Sequence, residues 1–353
     1  MPLVRPPLRN AIVLFAAAIL LPLLVHNGGF TNFLADAGAF VLLALGLNIV
    51  VGFAGLLDLG YAAFFAIGSY SYAMLASPQF GLHLPFWVML FVASGIAAIF
   101  GILLGAPTLR LRGDSLAIVT LGFGEIVPQT FLNLANVTGG PNGIGSLDQP
   151  VFFGLRFGFD PLPYYFLILA LIALAILAAN NLRRSRLGRA WMAIREDELA
   201  AAHMGINTTT TKLSAFAMGA SFSGLAGCAY ASKLGLVSPD QFGFNVSVFI
   251  LAMLVLGGMG NIAGVIAGSL VLSSLDRFIL PQATNFIHGT LHLMSIDLTN
   301  SRFLIYGVIL VVMMLFRPEG LIPSRQRKAE LHASEDDATV AAQEQSLYNQ
   351  AAS

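Results

Sequence analysis

The stretch LPYYFLILALIALAILAANNL, residues 162–182, runs without a charged side chain and is followed at once by RRSRLGR, residues 183–189. About 20 apolar residues in a helix cross the hydrocarbon of a bilayer, and Lys and Arg collect in loops on the cytoplasmic side. The pair therefore reads as a transmembrane helix that ends in the cytoplasm. The remainder of the chain repeats the pattern. Of its 353 residues, 57% are hydrophobic and 10% charged, against about 25% charged in an ordinary soluble domain. The mean hydropathy of +0.79 is spread over nearly the whole length, so water is not the main solvent. The lone Cys228 excludes an intrachain disulfide and reads as a small packing residue.

Apolar segments fall at about 11–26, 33–52, 58–77, 86–107, 115–136, 162–182, 212–234, 244–258, 261–280 and 303–316. These predict an all-α integral membrane protein of about ten transmembrane helices. Several are short or interrupted by Gly, Pro or an acid, which requires neighbouring helices to satisfy the freed backbone groups. Charge placement agrees. With the N-terminus in the cytoplasm, the cytoplasmic loops and both termini hold fourteen of the 18 Lys and Arg residues; Arg156, Lys233, Arg277 and Arg302 fall toward the other face. An even number of crossings brings both termini to the cytoplasmic side of a prokaryotic inner membrane. The stretch 244–280 is too long for one crossing, and Gly257-Gly258-Met259-Gly260-Asn261 supplies a turn within it. Arg5 and Arg9 ahead of an apolar run resemble a secretory signal, but no small-x-small site follows, and the run is read as a retained helix. Residues 1–322 thus form a transmembrane domain with a cytoplasmic loop at 183–212. The polar stretch 323–353 reads as a disordered cytoplasmic tail.

That loop is both charged and helix-forming. Arg189 to His203 predicts a surface helix stopped at Met204-Gly205, with Trp191 and Ile194 sharing an apolar stripe and Arg195, Glu196, Asp197 and Glu198 offering charged contacts. This suits docking into a groove of a soluble partner; the competing reading, a helix lying on lipid, calls for more Lys and Arg and fewer acids. Acids inside apolar segments are functional candidates by default. Asp58 lies in a Gly-bracketed break, Gly55–Gly60, and Glu125 lies between Gly122 and Pro128. Each either faces a water-filled path or caps a broken helix end, and neither has a base at helical spacing, so no proton relay is inferred. Asn48, Asp58, Tyr61, Thr120 and Glu125 are the candidate path residues.

Other motifs weigh less. Glycines at 101 and 105, and at 260, 264 and 268, have the spacing of close helix packing. Gly258–Ala263 fits the dinucleotide pattern only formally, since no strand precedes it. His288 and His292 stand at i, i+4 without a third ligand or the Glu of a zinc protease. Thr138–Ile144 is turn-rich and expected to be flexible and outward, touching substrate or merely connecting helices. No GxxxxGK[ST] phosphate loop occurs, so any ATP hydrolysis belongs to another chain. No nucleophile, base and orienter emerge, and a membrane enzyme is disfavoured.

In order, the blocks Val51–Phe65, Leu109–Ile126, Thr138–Ile144, Gly188–Ile206, Gly257–Gly260 and Leu315–Leu321 resemble the M-type (LivM-like) permease subunit of branched-chain amino-acid ABC importers. The resemblance runs from about residue 33 to 322. It implies a homologous H-type permease partner, two cytoplasmic ABC ATPases, an extracytoplasmic amino-acid-binding protein and a lipid environment, with no nucleic acid and no cofactor beyond the ATP used by the ATPases. It also implies that Arg189–Gly205 is the coupling helix. Family variants carry urea or short amides, and a secondary transporter without ATPases is a further alternative. Where the family often has Ser and His, this chain has Asp58 and Tyr61, which leaves the polarity of the path open.

Overall fold

The computed structural model describes residues 15–322 except 16, 23, 26, 109–113, 153, 159, 291–300 and 318. The first expected segment falls mostly outside this range, although residues 17–22 are helical, and the expected tail from 323 onward lies wholly outside it. Every later apolar segment forms a helix: α1 (Gly28–Leu47), α2 (Tyr61–Leu75), α3 (Phe86–Thr108), α4 (Asp114–Asn133), α5 (Pro161–Arg184), α8 (Thr208–Leu234), α9 (Phe244–Gly257), α10 (Ile262–Ser274) with α11 (Leu280–Thr290), and α12 (Arg302–Phe316). Two short helices, α6 (Arg186–Glu196) and α7 (Glu198–His203), fill the loop between α5 and α8. The chain is a mostly helical, multi-pass membrane protein.

Seven helical spans among the described residues are long and apolar enough to cross a bilayer, so the expected ten is an approximate count. α2 and α12 have 15 residues each, about 22 Å at 1.5 Å per residue, short of a hydrocarbon core of about 30 Å. α2 nonetheless sits at the centre, buried along nearly its whole length. Its ends meet protein, so its length need not match the lipid.

Connections alternate between two rims. On one, Arg195 Nη1 donates to Gly52 O at 2.8 Å, Leu321 N to Leu256 O at 2.9 Å and Ile322 N to Gly257 O at 3.1 Å. On the other, Ile144–Gly145 pairs antiparallel with Leu236–Val237, and Asp148 N donates to Ala76 O at 2.8 Å. The turn at 257–261 is where it was expected: Gly258 and Gly260 take φ of +112° and +81°, and Asn261 caps α10 by accepting from Ala263 N at 3.1 Å. The backbone of Gly320 lies directly against Gly258, where a Cβ on Gly320 would stand 2.5 Å from its Cα.

Three of the four Lys and Arg residues that break the charge pattern lie against two carboxylates, Asp36 and Asp276. Lys233 bonds Asp36, Arg277 reaches Asp36 at 3.3 Å and Asp276 at 3.5 Å, and Arg302 lies 3.9 Å from Asp276. A π-helical turn, Leu275–Ile279, carries both Asp276 and Arg277 into this cluster. Pairing offsets part of the cost that bare charges would carry next to hydrocarbon.

α3 and α8 pack closely along the line of Gly101 and Gly105. A Cβ on Gly101 would stand 2.8 Å from Phe216 O, too near for any side chain while the helices keep their separation. Gly101→Val is expected to destabilise the bundle by about 1–3 kcal/mol, the usual effect of overpacking; an unchanged thermal midpoint in detergent would refute this contact.

Candidate functional site

Ser185 ends α5 and begins α6. Its Oγ accepts from Gly188 N at 3.2 Å, and Gly188 lies so close to the end of α5 that a Cβ would meet Leu182 O at 2.1 Å. The expected continuous helix from Arg189 to His203 is corrected: the chain breaks at Asp197, whose Oδ1 accepts from Leu199 N at 2.8 Å and Ala200 N at 3.0 Å and so starts α7. Asp competes with the helix for its own backbone and favours such caps. Gly205, at φ +85°, ends the turn.

The apolar stripe also has another use than expected. Trp191 is 0% exposed and Ile194 6%, and Trp191 Nε1 donates to Thr211 O at 2.9 Å and Ser214 Oγ at 3.0 Å at the start of α8. Burying a Trp removes about 150–250 Å² from water, worth about 4–6 kcal/mol at about 25 cal/mol per Å². The stripe therefore anchors α6 to its own bundle. What faces outward is Leu199 at 57% and Met204 at 84% exposure, bordered by exposed Arg189, Glu196, Asp197, His203 and Gly205. Glu198 turns inward to Lys212, 2.6 Å away.

Arg195 joins this knuckle to the transmembrane interior. Beyond its bond to Gly52 O, its stem lies on Gly55, at φ +69°, where a Cβ would come within 2.7 Å of Arg195 Cγ. Gly52 belongs to a π-helical turn, Asn48–Phe53, that continues α1. Asn48 starts this turn, and its Oδ1 accepts from Gly260 N at 2.8 Å. Knuckle, π turn and the 257–261 turn are thus one hydrogen-bonded strip.

Past that turn the chain is non-helical from residue 55 to 60, with Leu56, Asp58 and Gly60 buried, so N–H groups there need partners. Leu59 N donates to Thr120 Oγ1 at 3.0 Å, Gly60 N to Asp58 Oδ1 at 2.9 Å, and Ala62 N to Ser247 Oγ at 3.0 Å. Tyr61 OH donates to Gly219 O at 2.8 Å. Asn48, Asp58, Tyr61 and Thr120 are each at most 1% exposed. The structure brings these four together around the break, where they satisfy its backbone and bind neighbouring helices.

Glu125 stands apart, exposed on α4. It lines an open surface groove of about 460 Å³ with Ile126, Gln129, Thr130, Asn133 and Leu134. Gln129 and Asn133 escaped the sequence reading, although their i+4 and i+8 spacing from Glu125 is visible there. Ser247 carried no such signal. The 138–144 segment is turn-rich as expected, with Gly139, Gly140 and Gly143 at positive φ; Thr138 Oγ1 donates to Leu134 O at 2.9 Å, and the segment ends in the short strand pair. Among the described residues no three His, Cys, Asp or Glu side chains group as metal ligands; the side chains of His288 and His292 lie outside those described.

Comparison with known proteins follows this architecture. Residues 29–313 match the family of branched-chain amino acid transport system permease components. The high-affinity branched-chain amino acid transport system permease proteins LivM of Salmonella typhimurium and Escherichia coli are 39% and 40% identical to this chain, each alignment covering 91% of it and 76% of the relative. The autoinducer 2 import system permease protein LsrC of Yersinia enterocolitica is 26% identical over 71% of this chain and 68% of its own. No solved structure matches. A multi-pass helical bundle with this match over most of its length belongs to the branched-chain amino acid transport permease family.

Proposed function

We infer that this chain is one permease subunit of an ATP-driven importer that carries a branched-chain amino acid into the cytoplasm of a prokaryote by alternating access. It performs no covalent chemistry and holds no cofactor. A homologous H-type permease completes the transmembrane part, two cytoplasmic ATPases dock on the permease knuckles, and an extracytoplasmic binding protein delivers substrate at the opposite rim. The inner membrane holds the chain with both termini in the cytoplasm.

The observation that carries this reading is the α6–α7 knuckle. An apolar surface made by Leu199 and Met204, ringed by charge, protrudes from the basic rim on a base fixed by Trp191. Exposed apolar groups on a rigid mount suit a groove in a soluble partner. The basic loop of Arg183, Arg184, Arg186 and Arg189 supports placing this rim in the cytoplasm. The absence of a phosphate loop from the sequence requires a separate ATPase, and the names of the LivM relatives favour a branched-chain amino acid over urea or an amide.

Arg195 is the link by which ATPase motion at the knuckle reaches the helices. A π turn has an extra residue in its ladder and can exchange hydrogen bonds with less cost than a regular helix, and Arg195 holds the carbonyl of Gly52 in that turn. Asn48 passes the shift to the 257–261 turn.

Leu199→Asp and Met204→Asp are expected to leave permease yield unchanged and lower co-purified ATPase at least tenfold; full co-purification of both variants would refute the docking surface. Arg195→Ala is expected to keep the ATPases bound while lowering uptake about tenfold and leaving ATP hydrolysis insensitive to the loaded binding protein. Wild-type stimulation in that variant would remove Arg195 from the link. Uptake by the wild-type system that persists without the ATPases would overturn the importer reading itself.

A further inference from the structure

We propose that the exposed face of α4 around Glu125 is one wall of a water-filled path shared with a second permease chain, and that Glu125 holds the ammonium group of an amino acid in transit. The proposal rests on the importer reading above and narrows its path to one helix face.

The argument begins with a mismatch between exposure and polarity. A span that faces lipid should be strongly apolar. The α4 span is 28% buried, less than any of the other six, yet its hydropathy is 1.4, against 2.5 for the α3 span, which is 39% buried. Glu125, Gln129 and Asn133 account for much of that polarity, and all three are exposed. At 100° per residue, steps of four keep them within an arc of about 80° while they climb about 12 Å along the helix. They form one polar strip, not scattered positions.

Two other acids of the spans, Asp36 and Asp276, are treated differently, while Asp58 is buried in the break without an ion pair among the described residues. Asp36 and Asp276 are turned into the bundle against Lys233, Arg277 and Arg302. Glu125, in the middle of its helix, forms no ion pair among the described residues. A carboxylate exposed at that depth is tolerated where it meets water or another protein, not hydrocarbon. A polar strip that lines an open groove of about 460 Å³ calls for both: a second chain to exclude lipid, and water between the two.

The chemistry of the wall fits a zwitterion with an aliphatic side chain. Glu125 attracts an ammonium group, and the amides of Gln129 and Asn133 donate hydrogen bonds to a carboxylate. Ile126 and Leu134, 62% and 50% exposed on the same groove, offer weak apolar contact. Binding stays loose, as passage requires. The four buried candidates are closed off from this groove: Asn48, Tyr61 and Thr120 bond inside the bundle, and Asp58, 1% exposed, accepts from Gly60 N through Oδ1 while its Oδ2 has no partner among the described residues.

The test uses the assembled importer in membrane vesicles, in a Cys228→Ser background. Single cysteines at 125, 129 and 133 are expected to react at least tenfold faster with a charged, membrane-impermeant methanethiosulfonate than a cysteine at the exposed apolar position Leu103. Substrate-loaded binding protein with ATP should alter those rates. A benzoylphenylalanine at Ile118, on the same exposed face, should cross-link to the co-expressed homologous permease. Glu125→Gln should lower amino-acid uptake about tenfold, and Glu125→Asp should restore most of it. Reaction no faster than at 103, or cross-linking at 118 to lipid alone, overturns the proposal. Because labelling and cross-linking are read without measuring uptake, they fail or succeed independently of whether transport needs the ATPases.

Discussion

Hydrocarbon offers no hydrogen bonds, so a chain that leaves helical geometry inside this bundle must find a partner for every exposed amide. The break from residue 55 to 60 is where that constraint is most severe. Thr120 from α4 and Ser247 from α9 reach across to Leu59 and Ala62, and Asp58 folds back on Gly60. Two helices, α4 and α9, are thereby tied to this break and to the first turn of α2 that follows it. Any movement of that break relative to α4 exchanges a bond instead of simply sliding a surface, which favours discrete positions over continuous ones.

The same break lies at the end of the strip that begins at the knuckle. Trp191 makes the knuckle rigid with respect to α8, while Arg195 ties it to the π turn of α1. A push on α6–α7 therefore loads two helices differently. α8 moves with the knuckle as a body, whereas the π turn can yield by re-pairing its carbonyls. Such a difference in stiffness turns any displacement of α6–α7 into a relative displacement of α1 and α8, the two helices that Tyr61 bridges by packing its hydroxyl against Gly46 and bonding Gly219 O.

Much of this was legible in the residues. Hydropathy located the spans from 33 onward because lipid imposes one demand on every crossing, and Gly55, Gly60 and the 257–261 glycines marked the places where the chain departs from a helix. Charge counting gathered most Lys and Arg into one set of loops, and three of its exceptions, Lys233, Arg277 and Arg302, lie beside Asp36 and Asp276. What could not be read was which partner a periodic pattern meets. Trp191 and Ile194 form an apolar stripe whether it covers the chain's own helices or another protein, and only the tertiary packing decides. Asp197 sits in a run of good helix formers, so its cap was invisible against their propensity. The inward turn of Asp58 and the outward turn of Glu125 likewise depend on neighbours distant in sequence.

Two of the ordered blocks that carry the family resemblance, Gly257–Gly260 and Leu315–Leu321, have a common physical reason. Gly320 packs backbone to backbone on Gly258, Leu321 and Ile322 donate to the carbonyls that end α9, and Asn261 Nδ2 donates to Ile322 O at 3.0 Å. The C-terminal end of the last helix is thus stitched to the same turn that Asn48 holds from the other side. A side chain on either glycine would separate the two backbones and release both sets of bonds. That closeness makes the knuckle, the π turn and the end of α12 parts of one rim, so a force applied at Arg195 is shared by helices from the start, middle and end of the chain.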